Sequence, residues 1–193
     1  MQKIGVLAMQ GAFAEHISLL KKLPDIQPFP VRTEEELSAA DALILPGGES
    51  TAMRKLLNYL GLTEKVKKRI ADGMPVWGTC AGMILLAKEV EGEPASALGI
   101  MDIRVKRNAY GSQLDSFAAD MEIPDIAPGK RHLIFIRAPY ITAAGLGVQI
   151  LAERDGQIIA ARENNMLVTS FHPELTEDPA FHRYFADMIG GGK

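Results

Sequence analysis

Residues 3–9 form a continuous apolar run, and Ala42-Leu43-Ile44-Leu45 and Met74-Pro75-Val76-Trp77 form two more. Strands apolar on both faces belong inside a sheet covered by helices on each side, as in parallel α/β architecture. Each run is closed by small or turn-forming residues: Gln10-Gly11, Pro46-Gly47-Gly48 and Gly78-Thr79-Cys80-Ala81-Gly82. Between the runs the spacing becomes helical. A helix is predicted over 14–23, stopped by Pro24, and a short strand over 26–31. Thr33-Glu34-Glu35-Glu36 has the pattern of a capping box. Ser50 and Thr51 are candidate caps for a helix over 53–59, and Thr63 for one over 64–71. A strand over 75–78 then leads into a helix that reaches about Lys88. Alternation of this kind predicts right-handed βαβ units in a three-layer α/β/α domain.

The second half changes character. Short β-like segments at 103–106, 133–136, 147–153, 157–162 and 166–170 are separated by turn signals such as Asp155-Gly156 and Asn164-Asn165. They are expected to add antiparallel strands to a mostly parallel sheet. Asp178-Pro179 opens a last amphipathic helix over 180–189 with Phe181, Phe185, Met188 and Ile189 on its core face. With 193 residues and no linker or repeat, the expectation is one domain spanning 1–193.

Apolar residues make up 47% and charged residues 23%, which excludes disorder and coiled coil as descriptions of the whole chain. A net charge of −3 gives no general attraction to nucleic acid. The basic run Lys65-Val66-Lys67-Lys68-Arg69 reads as a solvated helix face. No apolar stretch approaches the ~18 residues of a membrane span, and Met1-Gln2-Lys3-Ile4 leads into a strand pattern rather than a signal peptide. The single cysteine excludes an internal disulfide framework and a multi-cysteine metal site, and fits a reducing cytoplasm. There is no Walker motif, dinucleotide fingerprint or metal-ligand cluster, so neither cofactor nor metal is expected.

That cysteine, Cys80, is flanked by small residues at a strand-to-helix turn. Such a turn lets the backbone reverse sharply and presents the side chain with helical N–H groups behind it, a nucleophile elbow. A helix N-terminus and a nearby imidazole both lower a thiol's pKa. Of the four histidines, His172 is the strongest candidate because it follows a strand at a sheet edge where α/β sites collect. His16, His132 and His182 are expected on the surface or in packing roles. In an extended His172-Pro173-Glu174 segment, residues i and i+2 share a side, so Glu174 could orient the imidazole as a triad acid does. Taken singly, a lone cysteine is usually a core residue and His-Pro-Glu usually a loop. Their joint occurrence after buried strands points to chemistry.

Gly78-Thr79-Cys80-Ala81-Gly82 with His172-Pro173-Glu174 resembles the signature of class I (triad) glutamine amidotransferases. Within that class, four further segments resemble the PdxT/SNO family of glutaminase subunits of pyridoxal 5′-phosphate synthase: Leu45-Pro46-Gly47-Gly48-Glu49-Ser50-Thr51, Arg107-Asn108-Ala109-Tyr110-Gly111-Ser112-Gln113, Phe135-Ile136-Arg137-Ala138-Pro139 and Ser170-Phe171-His172-Pro173-Glu174-Leu175-Thr176. With the opening Gly5-Val6-Leu7-Ala8-Met9-Gln10-Gly11, the resemblance covers essentially the whole chain. Met9 stands where the family usually has leucine, and Ser112 where arginine is common.

The resemblance implies a flavodoxin-like glutamine amidotransferase fold and hydrolysis of L-glutamine to glutamate and ammonia through a Cys80 thioester, with His172 as base and Glu174 behind it. It also implies an oxyanion hole from the backbone N–H groups of Ala81 and the Gly47-Gly48 turn. Substrate contacts would come from Glu49 and Arg107, with Gly48, Ser50 and the Ile136-Arg137 backbone nearby; a surface salt bridge is the plainer reading of Glu49 or Arg107. The implied partner is a (β/α)8-barrel synthase subunit in a large hetero-oligomer, docked near the site's mouth around Gln10-Gly11. Two alternatives remain at this point. One is a glutaminase serving another acceptor, such as imidazole glycerol phosphate synthase. The other is a non-catalytic redox or chaperone-like α/β protein, against which His172-Pro173-Glu174 argues.

Overall fold

A computed structural model describes residues 1–93, 97–107 and 116–191. The first half runs β1 (Gln2–Leu7), α1 (Phe13–Leu20), β2 (Ile26–Val31), α2 (Glu34–Ser38), β3 (Ala42–Leu45), α3 (Ser50–Tyr59), α4 (Thr63–Ala71), β4 (Val76–Thr79) and α5 (Ala81–Leu86). The second half supplies β5 (Ala87–Val90), β6 (Met101–Lys106), β7 (Ser116–Ile123), β8 (Ala127–Ile136), β9 (Tyr140–Ala144), β10 (Gln149–Arg154), β11 (Gln157–Glu163) and β12 (Met166–Thr169). A 3₁₀ turn, Pro173–Leu175, and α6 (Ala180–Asp187) follow.

Among the described residues the main sheet has the order β2-β1-β3-β4-β12-β11-β9-β6-β5, with β10 paired to β11. Its first five strands are mutually parallel; β12, expected among the added antiparallel strands, runs parallel to β4 and antiparallel only to β11, and is buried on both faces like the other central strands. Strand β11 runs antiparallel to β12, β10 and β9, and β9 antiparallel to β6. Alternate residues of the central strands feed two cores. Leu43, Leu45 and Val76 pack with Met53, Leu57, Val66 and Ile70 of α3 and α4. Ile44 and Trp77 pack on the other face with Leu20 of α1 and Phe181 and Phe185 of α6. Each large apolar side chain buried this way contributes about 1.5–3 kcal/mol. The result is the expected three-layer α/β/α fold.

Several local expectations need correction. The cap of α3 is neither Ser50 nor Thr51 but Glu49, whose carboxylate accepts from the N–H groups of Thr51 (2.9 Å) and Ala52 (2.7 Å). Thr63 is likewise inside α4 and caps nothing; its hydroxyl donates to Asn58 Oδ1 at 2.6 Å. By contrast, Thr33 and Glu36 form the anticipated capping box. The elbow helix stops at Leu86, where the chain enters β5, a strand parallel to β6. Strands β7 and β8 do not join the main sheet; they pair with each other as a separate hairpin. The basic run lies on α4 with Val66 and Ile70 turned inward. Among the described residues no helix is long and apolar enough to cross a membrane. Residues 108–113, including Ser112, and the tail residues Gly192 and Lys193 lie outside the described residues.

Candidate active site

Cys80 sits between β4 and α5 with φ 48° and ψ −102°, a conformation costly for a residue with a Cβ. Surrounding bonds hold it there. Its N–H donates to Thr169 O of the neighbouring strand β12 at 2.8 Å, and its carbonyl accepts from Met83 N at 3.1 Å to start α5. The flanking glycines are needed for close approach: a Cβ on Gly78 would press on the backbone of Gly82, and one on Gly82 would overlap the Leu45 carbonyl of β3. Cys80 is buried as a residue, and its Sγ lies 3.9 Å from Ile136 O.

His172 follows β12, the strand paired directly with β4, so the two side chains leave adjacent parallel strands on the same sheet edge. The His172 N–H is tied to Ile134 O of β8 at 2.8 Å. Its Nδ1 lies 2.7 Å from Glu174 Oε1, and both residues are buried. The backbone between them is not the extended segment expected. Pro173, with its restricted φ, starts a 3₁₀ turn that folds Glu174 back under the ring. The pairing was anticipated; the geometry that makes it was not. Burial opposes charge on His172 most strongly, but hydrogen bonds to Cys80 and Glu174 outweigh it and raise its pKa to about 10. At neutral pH the ring is an imidazolium. A cysteine and a carboxylate thus flank one charged ring.

Above these residues is a cavity of about 220 Å³ lined by Gly48, Glu49, Ser50, Cys80, Ala81, Ile84, Arg107, Ile136, Arg137 and His172. Of the residues singled out from sequence, Gly47 and Glu174 stand just behind the wall and the others line it; Ile84 was not anticipated. Gly47 packs so closely on the imidazole that an added Cβ would overlap His172 Cε1. Its carbonyl accepts from Ala12 N at 3.1 Å. Because C=O and N–H oppose each other across a trans peptide, this turns the Gly48 N–H the other way. Ala81 opens α5, and the first N–H groups of a helix have no partner within it. Gly48 and Ala81 both line the cavity together with Cys80.

At the other end of the cavity Arg107 Nη2 lies 3.4 Å from Glu49 Oε1, and Arg107 Nη1 is bonded to Glu93. Glu93 was not singled out in the sequence, where it reads as an ordinary polar loop residue. The cap bonds from Thr51, then those from Ala52 and the charge of Arg107, hold the Glu49 carboxyl below the usual carboxylate range. Opposite charges at one end and a cysteine at the other match a zwitterionic amino acid with a reactive side chain. Arg137 also has a positive φ, 43°, which turns the backbone after β8 toward the cavity wall.

His132 is exposed and lies 2.7 Å from Asp120. His16 and His182, by contrast, are fully buried behind the candidate triad. Burial, then repulsion from His182 and His172, keeps the His16 pKa well below 6.5. Burial takes that of His182 down to about 3, with Asp178 opposing it weakly. Both rings are therefore neutral in the fold, whereas unfolded histidines gain protons below about 6.5. Their contribution to stability is complete above that pH and is lost as pH falls toward 3. The denaturation midpoint is expected to drop steeply between pH 6.5 and 4, and less steeply in His182→Phe. Equal slopes in a urea titration series would contradict this.

The family model described as the SNO glutamine amidotransferase family matches residues 6–190. The pyridoxal 5′-phosphate synthase subunit PdxT of Ruminiclostridium cellulolyticum is 52% identical over 189 residues, covering 98% of this chain and 100% of that protein. The protein of the same name from Methanocorpusculum labreanum is 55% identical, with 98% of each chain covered. A solved glutamine amidotransferase superposes with a TM-score of 0.91 at 46% identity, covering 97% of this chain and 98% of the other. A glutamine amidotransferase from Thermotoga maritima, only 11% identical, shares the fold with a TM-score of 0.63 over 98% of this chain and 84% of its own.

Proposed function

The chain belongs to the SNO glutamine amidotransferase family, and from that premise we propose which residues carry its reaction and what receives the product. It is a glutaminase that hydrolyses L-glutamine to L-glutamate and ammonia, supplying ammonia to pyridoxal 5′-phosphate synthase for vitamin B6 formation. One amidotransferase domain, 1–193, does this work.

The observation that supports the residue assignment is the row Cys80, His172, Glu174, the first two lining a cavity that the charged Glu49, Arg107 and Arg137 also line, with Glu174 behind its wall. Glutamine enters with its α-carboxylate toward Arg107 and its α-ammonium toward Glu49, beside Ser50 and the Ile136-Arg137 backbone. The Cys80 thiolate attacks the side-chain amide carbon, its proton resting on His172. Ala81 N–H and Gly48 N–H stabilise the oxyanion, with Gly47 shaping the turn. His172 returns the proton to the departing nitrogen, and the C–N bond breaks to give ammonia and a glutamyl thioester. His172 then takes a proton from water as the hydroxyl attacks, and the C–S bond breaks to release glutamate and leave the Cys80 thiolate beside the protonated His172, as at the start. Glu174 keeps Nδ1 protonated and the ring aimed throughout.

The ammonia acceptor is proposed to be a (β/α)8-barrel synthase subunit, in a large hetero-oligomer inside the reducing cytoplasm. Gln10-Gly11 and α1 are the proposed docking region. Gln10 Nε2 donates to Glu49 O at 2.7 Å, which ties that loop directly to the cavity wall. The test is glutamate and ammonia release from L-glutamine, with and without the cognate synthase. Release is expected to be low alone and to rise with the synthase, because uncoupled hydrolysis would waste substrate. A glutamine-like electrophile should add to Cys80 alone, read by intact mass and peptide mapping. No glutamate under either condition, or labelling elsewhere, would defeat this reading.

A further inference from the structure

We propose that His16 is a positioning residue for Glu174, held in one tautomer by His182, so that a buried row His182–His16–Glu174–His172 stands behind Cys80. The proposal rests on the glutaminase reading and extends its machinery to two residues that read in sequence as surface or packing histidines.

His16 is on α1 and His182 on α6, far apart in the chain, yet His16 Nδ1 and His182 Nε2 are 2.9 Å apart with both residues at 0% exposure. The remaining ring nitrogen of His182, Nδ1, is buried with no hydrogen-bond partner. An unpartnered N–H in the interior is rarer and costlier than an unpartnered lone pair. The His182 proton is therefore on Nε2 and is donated to His16 Nδ1. His16 must then carry its own proton on Nε2. That nitrogen is 3.3 Å from Thr79 Oγ1 and 3.5 Å from Glu174 Oε2.

Glu174 has a matching need. Its Oε1 is taken by His172, while Oε2 is buried without a hydrogen-bond partner. A carboxylate oxygen in that position is costly unless a dipole faces it. The His16 Nε2–H, bonded to Thr79 Oγ1 at 3.3 Å, also stands 3.5 Å from this oxygen, near enough for its dipole to act on it though not as a hydrogen bond. Because burial keeps His16 neutral, it offers Glu174 a dipole and not a second cation competing with the imidazolium of His172. The indole of Trp77, fully buried, meets both rings edge-on at centroid distances of 5.5 Å and 5.0 Å. It fixes their planes, and is itself anchored by donating to Thr169 Oγ1 at 3.2 Å.

His16→Gln and His16→Leu separate this role from packing. A glutamine can place an amide N–H near the Nε2 position; leucine cannot donate at all. With the synthase present, His16→Leu is expected to lower kcat about tenfold, well short of the loss on disabling a triad acid, with KM for glutamine unchanged. His16→Gln should recover most of that loss. Thermal midpoints read alongside register any packing effect, which would not follow the donor. Equal kcat values for wild type and His16→Leu, or for His16→Gln and His16→Leu, would overturn the proposal. If His16→Leu does not fold, His16→Asn replaces it, since its amide reaches only the Nδ1 position; kcat equal to that of His16→Gln overturns the proposal. Failure of the glutaminase reading looks different: the wild-type complex itself would release no glutamate.

Discussion

Cys80→Ala is expected to lower glutamine hydrolysis about 10⁶-fold, the scale on which nucleophile deletions act in triad hydrolases. No other described side chain in the cavity can form the acyl bond: the remaining polar groups there are Glu49, Ser50, Arg107, Arg137 and His172, and Ser50 has no imidazole described at its side. The fold should survive, because the substitution removes one sulfur from a position held by backbone bonds to Thr169 and Met83. Cys80→Gly should be equally inactive. Relief of the positive φ should nonetheless make it more stable than Cys80→Ala by about 1 kcal/mol. Glutamate release in the presence of the synthase, with urea denaturation of the free chain, measures both. Substantial turnover by either variant would remove Cys80 from the mechanism.

Gly82→Ala should damage stability rather than chemistry. The new methyl would overlap Leu45 O, a backbone atom of a central strand paired on both sides, so the helix or the sheet has to yield. Overpacking of this kind costs about 3 kcal/mol, a large fraction of a domain's total stability. Gly147→Ala is the control, because its Cβ would meet only Glu163 Oε1 at an ordinary 3.8 Å. That change should alter stability by no more than about 0.5 kcal/mol. Comparable denaturation midpoints for the two variants would mean that α5 can lift away from β3 at little cost.

The central parallel strands β1, β3 and β4 were legible because doubly buried strands show in sequence as unbroken apolar runs; β3 coincides with the expected span, as does the less buried edge strand β2. The elements that escaped lack such a signal. Strand β5 exposes both its middle residues, Lys88 and Glu89, so neither a run nor an alternation is visible. In β7 every second residue is exposed and acidic or small, because one face of the hairpin packs and the other does not. The Glu49 cap escaped because Ser50 and Thr51 are better capping types; a longer carboxylate one position earlier reaches the same N–H groups. The candidate site followed the same division. Cys80, His172 and Glu174 stand in short motifs and were readable, as were the cavity residues carried by the family resemblance. Glu93, Ile84 and the His16–His182 pair become neighbours of the site only through contacts across the fold, which no local pattern reports.

Cys80 and His172 emerge from β4 and β12, hydrogen-bonded neighbours in which Thr79 lies opposite Thr169. Adjacent strands repeat at about 4.7–4.9 Å whatever their side chains. The peptide repeat across the sheet is thus a molecular ruler for where the two segments leave it, and the bond from the His172 N–H to Ile134 O of the β8 hairpin sets the rest of the distance between the proposed nucleophile and base. A ruler of that kind has no intermediate settings. Mild heating or loop substitution can weaken how glutamine is gripped, but the proposed nucleophile and base stay together as long as the main sheet and the β8 hairpin both hold.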